Sequence, residues 1–383
     1  MLKNEKILIL SLSGPAFGGA ENHVLELYNM FVKNGYQTKL VLSFPSQIAN
    51  IAKQRGYSFF PCKIMYSFKI RLLFRFLFFR YLKKLYKKEQ FTTVICNNRR
   101  EVPVVTKLAK HYNINVIFTR HVNDHFKTKQ LKNVNSVIAV NPETVSYLQH
   151  KNIAENLNIK KIVFAPPLFN AQKFIDFQPT ETSQEFFKKT FNINIQPCPT
   201  VCMIGNMVSD IEHKNYPLFF RAVDILVNKR NIPCNVMLAG GGPKEIELKA
   251  LAQELKINHV THFLGFTDQI PALIHYSDIL AHASNKEAFG IIFLEAAIMK
   301  KPAIGATGTG AQIMIMPERT GLLFKNNDAN DLADKLEQLI KDPDYARRLG
   351  NNAYEHIIQN FIPDVTFAKY AALCQEPRLL DQE

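Results

Sequence analysis

Two glutamates eight positions apart carry the strongest chemical signal in this sequence. They lie in Ser284-Asn285-Lys286-Glu287-Ala288-Phe289-Gly290-Ile291-Ile292-Phe293-Leu294-Glu295-Ala296-Ala297. An apolar run ending near Ala283 reads as a strand, Glu287 as part of the loop after it, and the stretch from Gly290 onward as a helix. The first amides of a helix have no partner inside it and point back toward such a loop, which suits a phosphate or a sugar oxygen. Glu295 falls in the second turn of a helix whose other residues are almost all apolar. A carboxylate embedded there is unfavourable unless something hydrogen-bonds it, and a ligand hydroxyl is one such partner. Two plainer readings stay open at this point: Glu287 complementing the helix dipole, and Glu295 held by a core Lys, Arg or amide.

The elements that must position these residues follow from the hydrophobic pattern. Short apolar or β-branched runs at 6–12, 37–44, 92–97, 115–121, 135–141 and 160–166 alternate with helical stretches such as 20–34 and 101–112. The pattern restarts with runs at 200–206, 234–241, 259–266, 278–284 and 301–307, separated by helices near 216–230, 243–256, 269–276 and 290–299. Strands too apolar to have a wet face imply parallel sheets covered by helices on both sides. The expected fold class is therefore α/β, with two Rossmann-like doubly wound domains in series. The expected boundaries are 1–170 for the first domain, 171–198 for a linker, 199–362 for the second domain, and 363–383 for a terminal helix packing back on the first. Pro166-Pro167 and Pro197-Cys198-Pro199 bracket the linker, where periodicity breaks. In such sheets ligands sit off the carboxyl ends of strands, so the loops after strands are where chemistry is expected.

With 383 residues, 47% hydrophobic and 21% charged, the composition is that of an ordinary globular chain and excludes disordered, collagen-like and coiled-coil classes. Six cysteines without CxxC or Cys/His spacing read as reduced thiols of a cytosolic protein. The apolar run after Lys6 is too short for a secretory core and reads as a buried first strand. No run of about 18 uncharged apolar residues occurs that would span a bilayer. The net charge of +14 is unevenly placed: residues 1–180 hold 27 Lys and Arg against 9 Asp and Glu, while residues 181–383 hold 20 against 24. The basic half favours an anionic surface. No nucleic-acid-binding motif accompanies it, and nucleic acid is not an expected partner.

The E-A-F-G-x4-E-A pattern around Glu287 and Glu295 resembles the E-x7-E signature of the family-four glycosyltransferases, which are retaining, use nucleotide sugars and have the GT-B fold of two Rossmann-like domains facing a cleft. The resemblance implies that Glu287 meets the donor sugar's hydroxyls, that the amides of Phe289, Gly290 and Ile291 contact sugar or diphosphate, and that Glu295 grips the ribose. Phe17-Gly18-Gly19-Ala20-Glu21-Asn22-His23 follows the first strand like the family's glycine-rich loop, which gives Gly18 and Gly19 an acceptor or phosphate role. His121 ends a strand where the family often carries a histidine facing the donor sugar. Lys214, in Glu212-His213-Lys214-Asn215, stands where a lysine neutralises the diphosphate. Gly241, in the Gly240-Gly241-Gly242 turn, and Phe266, in the segment beside the base, complete the implied donor site with Gly205 and Asn206. No metal or other cofactor is implied, because Lys214 and the helix amides would stabilise the leaving group. A UDP- or GDP-sugar is the implied donor, a glycan or lipid-linked glycan the acceptor, and hexosyl transfer in bacterial cell-surface polysaccharide or lipopolysaccharide synthesis the implied setting.

The sequence departs from the family in three places. Gly205-Asn206 stands where Gly-Arg is usual, Pro166-Pro167 replaces an interdomain Asn-Gly, and Gly308-Thr309-Gly310-Ala311-Gln312 replaces a Gly-Gly loop followed by Glu. Asp342-Pro343-Asp344 has a metal-binding D-x-D spacing but reads as a helix-capping turn. From Lys69 to Lys88 eight basic residues occur with no acid. On a helical wheel Arg80, Lys83, Lys84, Lys87 and Lys88 gather opposite Phe74, Phe78, Tyr81, Leu82 and Leu85. That is the pattern of an interfacial helix on anionic lipid, which implies a peripheral protein on the inner face of the cytoplasmic membrane. A core-packed helix with a solvated lysine face is the alternative. Two other functions share these features: a sugar-nucleotide epimerase of the same fold, and a non-catalytic membrane partner of a transferase.

Overall fold

The structure is a computed structural model and describes residues 5–12, 17–64, 71–121, 128–207 and 214–376. The chain divides into two compact units: one runs to Phe169 and resumes at Pro363, and the other spans Asn170–Ile362.

The first unit is built on a parallel sheet of β1 (Lys6–Ser11), β2 (Gln37–Ser43), β3 (Phe59–Cys62), β4 (Thr93–Cys96), β5 (Asn115–Arg120), β6 (Ser136–Ala139) and β7 (Lys161–Phe164). Their spatial order is β3-β2-β1-β4-β5-β6-β7. Strand periodicity explains why both faces are apolar. Along β1, Ile7 and Ile9 enter one core with Val24, Phe31 and Tyr370. Leu8 and Leu10 enter the opposite core with Phe78, Leu82 and Val105. The Pro363–Cys374 helix belongs to the first of these cores, where Asn115 Nδ2 donates to the Leu373 carbonyl at 2.8 Å and Thr366 Oγ1 to that of Pro166 at 3.1 Å.

The second unit repeats the plan with β8 (Thr200–Ile204), β9 (Asn235–Ala239), β10 (Thr261–Gly265), β11 (Ile279–His282), β12 (Ala303–Ala306) and β13 (Leu322–Phe324), in the order β10-β9-β8-β11-β12-β13. Strand order reverses between β8 and β11, so their following loops diverge and leave a crevice at the carboxyl edge. The corresponding point in the first unit lies between β1 and β4. Residues 171–198 are not bare linker: they carry helices Gln172–Ile175 and Ser183–Phe191, and Phe186 and Phe187 are buried in the second unit.

The Arg71–Glu89 helix corrects the wheel drawn from sequence. Phe74, Phe78, Leu82 and Leu85 are buried in the first unit's core and Tyr81 packs against it, so the side assigned to lipid is occupied by protein. Arg80, Lys83, Lys84, Lys87 and Lys88 are exposed, and so are Leu72, Leu73, Phe76 and Leu77. Lys69 lies outside the described residues. None of the described helices is long and apolar enough to cross a membrane. Asp342 Oδ1 accepts the Tyr345 amide at 2.9 Å, as the capping reading expects.

Candidate active site

At the end of β8 the Gly205 amide donates to the Ala239 carbonyl at 2.9 Å, and the Tyr216 hydroxyl donates to the Gly205 carbonyl at 2.6 Å. The turn after β9 presses directly on this point. A Cβ on Gly240 would lie 2.0 Å from the Gly205 oxygen, and its φ of +126° is one that side chains resist, so only glycine fits. The Gly241 carbonyl accepts the Met207 amide at 3.0 Å. Beside Gly241, the Phe266 ring stands 65% exposed just past β10, a large apolar face with no core to fill. Asn206 lies at the same edge, half-buried.

Across the switch point, β11 delivers His282, the loop delivers Glu287, and the helix Ile291–Ile298 follows. Gly290, at φ +87°, turns the chain into this helix, and among the described residues no side chain caps the amides of Ile291 and Ile292. Phe289 is buried near Phe361, so what it and Gly290 offer a ligand is backbone. Ile291 is half-buried. The divergent Gly308-Thr309-Gly310 loop turns out to brace the signature. The Gly310 amide donates to the Glu287 carbonyl at 2.7 Å, and a Cβ on Gly310 would strike the Phe289 nitrogen at 2.4 Å.

The side chains converge as follows. Lys214, described without the preceding Glu212 and His213, runs over Gly205 and donates from Nζ to Glu287 Oε2 at 2.8 Å. His282 Nε2 is 3.2 Å from the same oxygen and 3.4 Å from Lys214 Nζ. Burial alone would push the Glu287 carboxyl up, but the ammonium and imidazole beside it outweigh burial and hold it well below the usual carboxylate range. Burial and then the Lys214 charge push His282 down, so its imidazole is neutral near pH 7. Glu295 is half-buried on the following helix and makes no side-chain hydrogen bond to the described residues. Burial raises it to about 8, with Lys173 opposing.

In the first unit, the Gly18 amide donates to Glu21 Oε2 at 3.0 Å and Gly19 opens the first helix. His121 Nε2 meets Asn97 Oδ1 at 3.0 Å, an orientation fixed because Asn97 Nδ2 donates to the Leu10 carbonyl. Burial, aided by Arg120, pushes His121 down to about 4. Sequence reading missed the groups that hold this edge. Buried Glu101 accepts the amides of Leu12, Asn97 and Asn98 at 2.6, 3.0 and 3.1 Å, tying β1 to β4. His23 accepts the Leu168 amide at Nδ1, 2.7 Å away, and reaches Tyr370 Oη through Nε2 at 3.0 Å. His282 was also missed, because one histidine in an apolar strand carries no signal without its partners. Lys214 and Glu287 are 73 positions apart in the chain.

Comparison with known proteins agrees with this geometry. Residues 184–356 match the model described as glycosyl transferases group 1, and residues 17–164 match glycosyltransferase family 4. The chain is 30% identical over 142 residues to N-acetyl-alpha-D-glucosaminyl L-malate synthase of Bacillus anthracis, covering 37% of each chain. It is 27% identical over 238 residues to N,N'-diacetylbacillosaminyl-diphospho-undecaprenol alpha-1,3-N-acetylgalactosaminyltransferase of Campylobacter jejuni, covering 62% of this chain and 59% of that one. The matched stretches thus span less than two thirds of these relatives' own lengths. The crystal structure of Anabaena HepE in complex with UDP and glucose superposes with a TM-score of 0.78 at 16% identity, covering 96% of this chain and 99% of that one. Two parallel, helix-covered sheets with this neighbour define the GT-B fold. The two family models, matched in succession over most of the chain, support a GT-B glycosyltransferase of family 4.

Proposed function

We propose that the protein moves a hexose from a nucleoside-diphosphate donor to a glycan or lipid-linked acceptor, with retention at the anomeric carbon and without a divalent metal. One observation carries the reading. At the switch point of the second unit, Glu287 is charged, is held through one oxygen, and adjoins a helix start that, like Glu295 on that helix, has no side-chain hydrogen-bond partner among the described residues. Glu287 Oε1 would take donor hydroxyls, and Lys214 with the amides of Gly290 and Ile291 the diphosphate. Glu295 would take the ribose and Phe266 the base, while Gly205, Asn206 and Gly241 line the approach. His121 would face the donor sugar, and Gly18-Gly19 the acceptor or a phosphate. In the transfer the bond from the anomeric carbon to phosphate oxygen breaks, the acceptor oxygen bonds to that carbon on the same face, and its proton passes to the departing diphosphate. The names of the Campylobacter relative, with its diphospho-undecaprenol, and of the UDP-bound neighbour favour a UDP-sugar and a lipid-linked glycan, as in cell-surface polysaccharide or lipopolysaccharide synthesis. The test is a panel of UDP-, GDP- and ADP-sugars with bacterial glycolipid, with and without EDTA. Nucleotide release indifferent to EDTA, with an axial anomeric linkage kept in the product's proton spectrum, is the expected result. An inverted product or an EDTA-silenced enzyme sinks the mechanism.

Glu295 supplies a pH test. Its carboxyl, raised to about 8 by burial, is mostly protonated near pH 7. Ribose hydroxyls donating to it favour the ionised form, so UDP binding releases a proton and strengthens as pH rises toward 8. Calorimetry of UDP binding at pH 7 in two buffers of different ionisation enthalpy detects that proton. Binding enthalpies that agree in both buffers remove Glu295 from the ribose.

The first unit would dock on the inner face of the cytoplasmic membrane through the exposed side of Arg71–Glu89. There Leu72, Leu73, Phe76 and Leu77 adjoin Arg80, Lys83, Lys84, Lys87 and Lys88. Sedimentation with vesicles containing phosphatidylglycerol is expected, weakened by Leu73→Ser with Phe76→Ser and by salt. Equal sedimentation with neutral vesicles, or none with anionic ones, sinks this contact.

A further inference from the structure

We propose that His282 is a positioning residue for the donor site: its buried imidazole keeps Glu287 aimed while Lys214 serves the ligand's phosphates. The inference rests on the donor-site reading above. Both contacts to the Glu287 carboxylate fall on Oε2, and Oε1 makes no hydrogen bond to the described residues. A carboxylate that must present one oxygen to sugar hydroxyls has to be gripped by the other. Lys214 alone is a poor grip. Its side chain is 31% exposed, and a diphosphate arriving at the same edge competes for its ammonium.

His282 cannot follow the ligand. It is 2% exposed, is the last residue of β11, and pairs in register with Gly305 of β12. The Phe293 ring stands perpendicular to it at 5.7 Å. Its remaining nitrogen, Nδ1, is buried with no partner among the described residues. An apolar side chain would fill that space without stranding a nitrogen, so packing does not explain a histidine here. A bare acceptor is the milder form of an unpaired ring nitrogen, which places the hydrogen on Nε2, donating to Glu287 Oε2. Lys214 then donates to the same oxygen, and one acceptor holds two donors, one at the end of β11 and one just before the Tyr216–Asp224 helix. When phosphate draws the ammonium away, the imidazole donor remains.

The test compares His282→Leu and His282→Gln with wild type, alone and in a Glu287→Gln background, using UDP-glucose, UDP-N-acetylglucosamine and GDP-mannose with bacterial lipid extract. Gln can place an amide N–H near the Nε2 position, whereas Leu only fills space. His282→Leu is expected to lower kcat about 10- to 50-fold while UDP affinity stays within about twofold, a loss of aim rather than of binding. His282→Gln is expected to recover most of that loss. In the Glu287→Gln background His282→Leu should add less than about twofold, because the two changes remove one arrangement. Circular dichroism and melting temperature establish that each variant is folded, and His282→Gln answers the question if His282→Leu is not. Equal impairment of folded Leu and Gln variants, additive losses, or a His282→Leu enzyme as active as wild type overturns the proposal and leaves the transferase reading standing. Wild-type protein that releases nucleotide from none of the three donors overturns both.

Discussion

Glu287→Gln is expected to reduce nucleotide release by about 10²- to 10³-fold, the scale seen when one preorganised group that meets developing charge is removed. The amide keeps the size of the carboxylate but not its charge. It can accept from Lys214 or from His282, yet its NH2 end must then face a ligand hydroxyl oxygen or one of those donors. The loss is expected in kcat more than in UDP affinity, because the group addresses the sugar. Stability should fall only modestly. Glu287 and Lys214 are 20% and 31% exposed, and losing a partly shielded ion pair while keeping an isosteric amide costs about 1–2 kcal/mol. A melting temperature within a few degrees of wild type therefore separates lost chemistry from lost fold. The wild-type rate should also show no step from this carboxylate above pH 5, since Lys214 and His282 hold its titration far lower. A Glu287→Gln enzyme within threefold of wild type would show that the residue does not touch the donor.

The wall of this site was readable because it is made of short-range pattern. Alternating apolar runs placed the central strands of both sheets to within a few residues, and glycines at strand ends placed their turns. The two short edge strands, Phe59–Cys62 and Leu322–Phe324, escaped notice: an edge strand pairs on one side only and carries little of the β-branched signal. Gly310 was read as a departure from the family because its role is set by contact with Ala288 and Phe289, about twenty positions away, and no periodicity encodes that. The Arg71–Glu89 helix shows the same limit in another form. Its wheel set Phe74, Phe78, Leu82 and Leu85 on one side, with Phe76 and Leu77 left among the basic residues, but whether the aromatic side meets lipid or protein depends on what the sheet above it needs. Leu8, Leu10 and Val94 needed a cover, and Phe74, Phe78 and Leu82 supply it. Exposed Leu72, Leu73, Phe76 and Leu77 then became the unexplained residues. Glu101 and His23 were invisible for a further reason: each is a buried polar group whose partners are backbone or distant side chains, and composition alone cannot separate them from surface residues.

Lys214→Met is expected to match Glu287→Gln in rate loss, about 10²- to 10³-fold, but to weaken UDP binding as well, by about tenfold. The ammonium is the one cation among the described side chains shown to reach the Glu287 end of the crevice, and Asn206 stands where the resemblance leads one to expect an arginine. Removing it leaves the leaving diphosphate with backbone amides alone. Met keeps the stem that lies over Gly205, so packing there survives. Lys214→Arg is the informative contrast. It restores charge but replaces a compact ammonium with a planar fork of different geometry, so UDP affinity should recover further than kcat. The Lys214→Met, Glu287→Gln double variant should lose less than the product of the single losses, because each change already breaks the same ion pair. Unchanged UDP affinity in Lys214→Met, measured by calorimetry at low ionic strength where charge contacts are least screened, would move the diphosphate elsewhere and with it the direction of the transfer.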